Sequence, residues 1–307
     1  MFHTRAKGKL LLTGEYFVLD GALALAIPVR YGQTLEVQHK TDAAVSGLFW
    51  SSLDEHGNPW FSAHFRLPDG GVISASDPDI AATLLRILMA CRRQNAAFLT
   101  DKMSLEVVTQ NDFPRKWGLG TSSTLIAALA QWAQVNPYQV LSETLGGSGY
   151  DLACAYAEGP LWYWLEAGQP KVKPVDFHPA FSDQLWLVYL GKKQDSRAGI
   201  RQYREQKHHF FTLPQQIGAI TKAFTAAATL GELEALICEH EILVSEALRL
   251  SRVQDLYFAN YWGETKSLGA WGGDFVLATS GRSAAETRAY FQERGFDTVI
   301  PYSEMTG

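Results

Sequence analysis

Phe113-Pro-Arg-Lys-Trp-Gly-Leu-Gly-Thr-Ser-Ser-Thr124 is the stretch on which the reading of this chain turns. Gly118 and Gly120 let the backbone bend sharply and approach a ligand without Cβ interference. The residues from Ser122 to Val135 have the apolar spacing of a helix, and Asn136-Pro137 stops it. A glycine turn that feeds a helix gathers unpaired N–H groups and the positive end of the dipole on one spot, which suits a phosphate. Thr121, Ser122 and Ser123 add hydroxyls fit for phosphate oxygens or Mg²⁺. The same string also reads as a serine-capped helix after a glycine turn, an arrangement common to many folds. It is not a Walker A loop, because no Lys follows the second glycine. A cation over a transferred phosphate must therefore come from elsewhere in the chain.

Working outward, the residues before the loop read as strands and turns. Lys9 to Thr13 and Ala22 to Pro28 are short apolar runs, and Tyr31 to Gln38 alternates as a half-buried strand does. Asp54-Glu-His-Gly-Asn-Pro59 is turn chemistry between aromatic segments, which predicts a hairpin. Asp77 caps a helix predicted to reach Arg93, with Pro78 in its first turn. After the loop, helices are expected over Ser122–Val135 and Pro137–Leu145, and strands over Leu161–Leu165 and Leu185–Leu190. The polar stretch Glu166 to Asp183 is expected to be a domain junction. The chain then reads as helical from Ala198 to Arg252, with breaks near Thr212–Pro214 and Leu230–Gly231. A glycine-rich segment, Gly269 to Gly273, leads into a strand at Phe275–Ala278, a helix at Ala284–Arg294 and a strand near Val299.

The bulk composition narrows the class. At 307 residues two domains are the natural expectation, here 1–175 and 176–307. Hydrophobic residues make up 47% and charged residues 19%, an ordinary globular balance. A net charge of −5 favours neither nucleic acid nor an anionic membrane as a partner. Cys91, Cys154 and Cys238 lie far apart with no CxxC pair, so they read as reduced thiols rather than a disulfide or metal framework. No apolar run approaches the ~18 residues a membrane span needs, and Met1 to Leu12 lacks a signal-peptide pattern. The expected location is cytoplasmic, and the expected state is a monomer or homodimer.

Four segments together resemble the GHMP kinase superfamily, and they occur in the family's order. Ala6-Lys-Gly-Lys-Leu-Leu-Leu-Thr-Gly-Glu-Tyr-Phe-Val-Leu-Asp-Gly21 is similar to the N-terminal "PGK…GEY.VL.G" motif. The loop is similar to "GLGSS". Gly147-Ser-Gly-Tyr-Asp-Leu-Ala153 resembles the "GSGFDVA" string of phosphomevalonate kinases and, less closely, the "SGIDNA" of mevalonate kinases. Lys266-Ser-Leu-Gly-Ala-Trp-Gly-Gly-Asp-Phe275 resembles the C-terminal "K.TGAGGGG" motif, with Trp271 where the family has glycine. The resemblance implies an α+β, two-domain fold: an N-terminal α/β domain carrying the glycine-rich phosphate loop, then a ferredoxin-like domain. It also implies an ATP-dependent small-molecule kinase that uses Mg²⁺.

The resemblance also assigns residues. Asp151 matches the catalytic carboxylate and Lys9 the family's lysine, whose ammonium would keep Asp151 ionised and offset charge on the transferred group. Without it, Asp151 reads as a turn aspartate after Gly147-Ser-Gly and Lys9 as a solvated strand-end lysine. Gly118, Leu119, Gly120, Thr121, Ser122 and Ser123 would hold the nucleotide. Ser122 would also bind the metal, and Glu143, the one acid at all near the family's second metal-ligand position, is a further candidate. Glu15, Tyr16, Ser148, Gly149, Gly272 and Gly273 fall in motif positions near the substrate.

The acceptor is read from charge. Lys192, Lys193, Arg197, Arg201, Arg204 and Lys207 outnumber Asp195 and Glu205 in one short segment, and Arg197, Arg201 and Arg204 would share a helix face. Such a face can hold an anionic small molecule or can simply be solvated. With the Gly147–Ala153 string it points to 5-phosphomevalonate as acceptor, with mevalonate as the alternative. Two other classes remain open on this scaffold: a non-catalytic metabolite sensor, and an ATP-dependent diphosphomevalonate decarboxylase.

Overall fold

The computed structural model describes residues 1–40, 47–68, 70–100, 104–192, 196–206, 212–269, 271 and 273–306, with backbone alone at 196–198 and 206. The chain starts with β1 (Phe2–Thr13), β2 (Ala24–His39), β3 (Gly47–Leu53), β4 (Pro59–Phe65) and β5 (Val72–Ala75). Helix α1 (Pro78–Gln94) leads to β6 (Ser104–Asn111), followed by α2 (Thr121–Ala133), α3 (Pro137–Thr144) and α4 (Tyr150–Tyr156). Strands β7 (Leu161–Glu166), β8 (Gln169–Pro174) and β9 (Leu185–Tyr189) come next. Helices α5 (Ser196–Gln206), α6 (Leu213–Ala226), α7 (Leu230–Leu248) and α8 (Val253–Tyr257) lead to β10 (Thr265–Ser267) and β11 (Phe275–Thr279). The last elements are α9 (Ala284–Gln292), β12 (Val299–Pro301) and α10 (Tyr302–Thr306).

These elements form two compact units, each assembled from separate stretches of chain. One comprises 1–8, 31–115 and 119–156, the other 9–30, 116–118 and 157–307. In the first, hydrogen bonding runs β5-β4-β3-β6-β2. β3 and β6 are parallel, so the chain needs a crossover between them, and α1 lies within it. The expected hairpin joins β3 to β4: Asp54 Oδ1 accepts the N–H groups of His56 and Asn58 at 3.0 and 2.8 Å, and Gly57 takes a left-handed φ of 81°. Asp77 caps α1 as expected, its Oδ1 accepting from Asp79 and Ile80. Leu84, Ile87 and Leu88 of that helix join Phe61, Phe65, Val107, Leu129 and Leu152 in one apolar core. Each large side chain so buried contributes about 1.5–3 kcal/mol.

The second unit holds β2, β7 and β8 in that order, and a separate four-stranded antiparallel sheet ordered β10-β11-β9-β12. Counted from β9, that sheet runs second, third, first, fourth, with α5–α8 between its first and second strands and α9 between its third and fourth. This is the ferredoxin-like βαββαβ arrangement. Val188, Val276, Phe258 and Phe291 pack its core. A second cluster joins Phe17 and Ala22 to Tyr203, Ile217 and Val244. The whole is an α+β fold.

Local readings needed correction at three places. The runs Ala22–Pro28 and Tyr31–Gln38 belong to one 16-residue strand, β2. Pro28 is tolerated because it falls between the stretch paired with β7, Ala24–Ala26, and the stretch paired with β6, Gln33–His39. The polar stretch Glu166–Asp183 contains β8, joined to β7 by a tight turn at Ala167 and Gly168, both at positive φ. Its lysines and prolines, which read as a linker, are what an edge strand uses to resist further pairing. Asp151 lies not in a turn but in the first turn of α4. The three cysteines are free, and burial pushes the Cys91 thiol up to about 12. No described helix is long and apolar enough to cross a membrane.

Candidate functional site

The glycine loop has the expected form. Gly118 and Gly120 sit at φ of 66° and 96°, conformations open to glycine at little cost. Gly120 is the N-cap of α2 and has no side chain to cap it. Its carbonyl accepts the N–H groups of Ser123 and Thr124 at 3.0 and 2.9 Å. Leu119 is fully buried, so its contribution to a ligand could come only from its backbone.

The hydroxyls after the loop divide into two kinds. Thr121 is half-exposed and Ser122 exposed at the helix start. Ser123 is buried, and its Oγ donates to Asp151 Oδ2 at 3.1 Å. Thr124 is also buried and donates to Gln33 Oε1 at 3.0 Å. Asp151 stands at the start of α4 because Gly149, at φ 88°, turns the chain and its carbonyl accepts from Leu152 and Ala153. Asp151 Oδ1 is buried and accepts no hydrogen bond from the described residues. Ser148 is half-exposed immediately before this turn. Glu143 lies on α3, its carboxylate held by Arg93 at 2.7 Å and Gln139 at 3.0 Å; the Arg93 hydrogen bond keeps it below the usual range. No group of three or more metal-binding side chains occurs among the described residues.

The second unit brings together residues from the first and last motifs. Lys9 Nζ donates to the Gly118 carbonyl at 3.1 Å. Gly269, at φ 70°, faces that ammonium, and a Cβ there would lie 3.9 Å from Nζ. The Asp274 carboxylate lies against Gly118: a Cβ at Gly118 would fall 2.1 Å from Oδ2. The C-terminal motif forms the β10–β11 connection, where the Leu268 N–H donates to Phe275 O. Trp271 turns inward, 4% exposed, and its N–H donates to the Tyr16 hydroxyl at 3.0 Å. Tyr16 also stacks on Tyr203, with ring centroids 6.0 Å apart. Gly273 is buried. Gly272 and the Arg197 side chain lie outside the described residues, while Arg201 and Arg204 are exposed on α5.

Glu15, expected near substrate, is instead fully buried in an ionic cluster. Lys266 Nζ donates to Glu15 Oε1 at 2.6 Å and to Glu241 Oε1 at 3.4 Å, and the Ser267 N–H donates to Glu241 Oε2. His240 Nε2 accepts the Gly14 N–H at 3.3 Å and lies 3.2 Å from Glu15 Oε2. Burial raises both carboxyls, Glu241 to about 7, and holds His240 well below its ordinary range. Lys266 and Glu15 were visible as motif residues. His240 and Glu241 were not, since a polar pair on a long helix normally marks a solvated face.

No protein-family model matches the sequence. Over 265 residues the chain is 25% identical to the mevalonate kinase of Aeropyrum pernix, covering 81% of this chain and 73% of that protein. The structure of Streptococcus pneumoniae phosphomevalonate kinase in complex with phosphomevalonate and AMPPNP matches with a TM-score of 0.69 at 16% identity, over 97% of this chain and 99% of that one. The L. major mevalonate kinase in complex with R-mevalonate matches with a TM-score of 0.67 at 18% identity, over 96% and 91%. At these identities the structural likeness establishes the fold.

Proposed function

We propose that this chain is a GHMP-type, ATP-dependent phosphotransferase that transfers the γ-phosphoryl group of ATP to an acid of the mevalonate pathway. The acceptor in this reading is 5-phosphomevalonate, with mevalonate second. The relatives include kinases of both acids, and the exposed Arg201 and Arg204 of α5 favour the more anionic one.

The loop suits a nucleotide's phosphates. Its two glycines have left-handed φ, and α2 starts with no side-chain cap. In the proposed mechanism the helix N–H groups with the Thr121 and Ser122 hydroxyls hold phosphate oxygens. Lys9 faces the charge on the transferred group. Asp151 Oδ1 takes the acceptor's proton as the acceptor oxygen bonds to the γ-phosphorus and ADP leaves with the bridging oxygen's electron pair. Mg²⁺, when bound, would neutralise phosphate charge. Ser122 would hold it with phosphates and water, an arrangement Mg²⁺ accepts readily; Glu143 is already engaged by Arg93. Residues 1–175 would supply the nucleotide side and 176–307 the remainder.

The observation that carries this reading is the Asp151 carboxylate, fixed at one oxygen by Ser123 and open to a hydrogen bond at the other. The test is ADP formation from ATP with phosphomevalonate, mevalonate, homoserine and galactose offered in parallel, and with CO₂ release monitored. The expected result is turnover on one of the two pathway acids without CO₂. Turnover on galactose alone, or none on any acceptor, overturns it.

A further inference from the structure

We propose that Ser123 is the positioning residue for Asp151, and that the nucleotide's phosphates are served by Thr121 and Ser122 without it. This rests on the reading of Asp151 as the group that accepts the acceptor's proton.

The four consecutive hydroxyls from Thr121 to Thr124 look interchangeable in the sequence, but a helix separates successive side chains by about 100°. At the uncapped start of α2, Thr121 remains half-exposed and Ser122 exposed. Ser123, 7% exposed, is turned inward onto α4, and Thr124, 1% exposed, onto Gln33 of β2. The Ser123 main-chain N–H is also occupied, donating to the Gly120 carbonyl at 3.0 Å. Neither polar group of Ser123 is left for a phosphate. Its hydroxyl instead donates to Asp151 Oδ2, fixing the carboxylate's rotation. The other oxygen, Oδ1, then accepts no hydrogen bond from the described residues. A carboxylate held at one oxygen keeps the other aligned for proton transfer without reordering in each turnover. One helix start thereby does two jobs. Its first turn presents donors outward, and its third residue sets the angle of an acid on the neighbouring helix.

The test uses the full chain and the acceptor with the highest turnover in the panel above. Ser123→Ala, Asp151→Asn and the double variant are compared for kcat, for KM of ATP and for Kd of AMPPNP. Ser123→Ala is expected to lower kcat by roughly 10- to 100-fold. KM for ATP and Kd for AMPPNP should stay within about twofold, since a group that acts only on the acid leaves ground-state binding unchanged. In the Asp151→Asn background the same substitution should cost no more than about a further twofold, because its effect passes through the carboxylate. A tenfold loss of AMPPNP affinity in Ser123→Ala would make the hydroxyl a phosphate ligand and overturn the inference. Wild-type kcat in Ser123→Ala, or losses that multiply in the double variant, would overturn it equally. Full turnover by Asp151→Asn alone would instead remove the underlying reading of the acid, so the two failures are distinguishable.

Discussion

Gly118 is a position where a single methyl group should be felt. A Cβ there meets the Asp274 carboxylate at 2.1 Å, and the φ of 66° is unfavourable to any L side chain. Gly118→Ala should lower stability by about 1–3 kcal/mol in urea titration. Adding Asp274→Gly should recover the steric part and leave about 1–2 kcal/mol of backbone cost. Asp151→Asn should lower kcat by roughly 10²- to 10⁴-fold with AMPPNP affinity within about twofold, measured by steady-state kinetics and nucleotide titration. The glycines and Asp151 could be singled out in the sequence because turn chemistry is local. The bond between Ser123 and Asp151 could not, since 28 residues separate them and packing alone decides which hydroxyl of a helix start points inward.

At the scale of elements, α7 and β10 are joined to the turn after β1 by the buried cluster of Glu15, His240, Glu241 and Lys266. Burial raises the Glu241 carboxyl from 4.5 to about 7, so the folded chain holds that proton more tightly than the unfolded one. Its contribution is complete below pH 4.5 and is lost as pH rises through about 7. Glu15 works in the same direction. His240, held below its ordinary 6.5, works oppositely and costs stability as pH falls beneath that value. Glu241→Gln removes one carboxyl from this balance. Relative to the parent chain, its stability should therefore improve by roughly 1–3 kcal/mol between pH 4.5 and 7.5, read from urea melts at both ends. An unchanged difference would mean that Glu241 stays ionised throughout. Lys266→Met strips the carboxylates of their cation and should cost about 3–5 kcal/mol. None of this was legible in the sequence, because a buried ion pair and a solvated one use the same residues. The sequence also hid β8, whose Lys171, Lys173 and two prolines resemble a connector until the Ala167-Gly168 turn is seen to fold them back on β7.

For the molecule as a whole, element types and their order followed from periodicity and turn residues, while strand order did not. Nothing in the spacing of Leu185–Tyr189 says that β9 lies between β11 and β12; that topology was implied by motif resemblance alone. Nor did the sequence reveal that 9–30 folds with 157–307. A fragment of residues 176–307 would keep its four-stranded sheet but lose Tyr16, Phe17 and Ala22 from the cluster with Tyr203 and Val244, and Glu15 from Lys266. It should retain helical circular dichroism without a cooperative thermal transition. A sharp transition near that of the full chain would show that those N-terminal residues are dispensable.

The pairing of Glu15 with Lys266, 251 residues apart, also sets a timetable for the chain during its synthesis. At about 5–20 residues per second a ribosome needs roughly ten to fifty seconds to pass from one to the other. Throughout that interval the carboxylate has no ammonium to meet, and the aromatic residues beside it have no helices to cover them. The stretch around Glu15 must wait, open to chaperones and proteases, until Lys266 emerges.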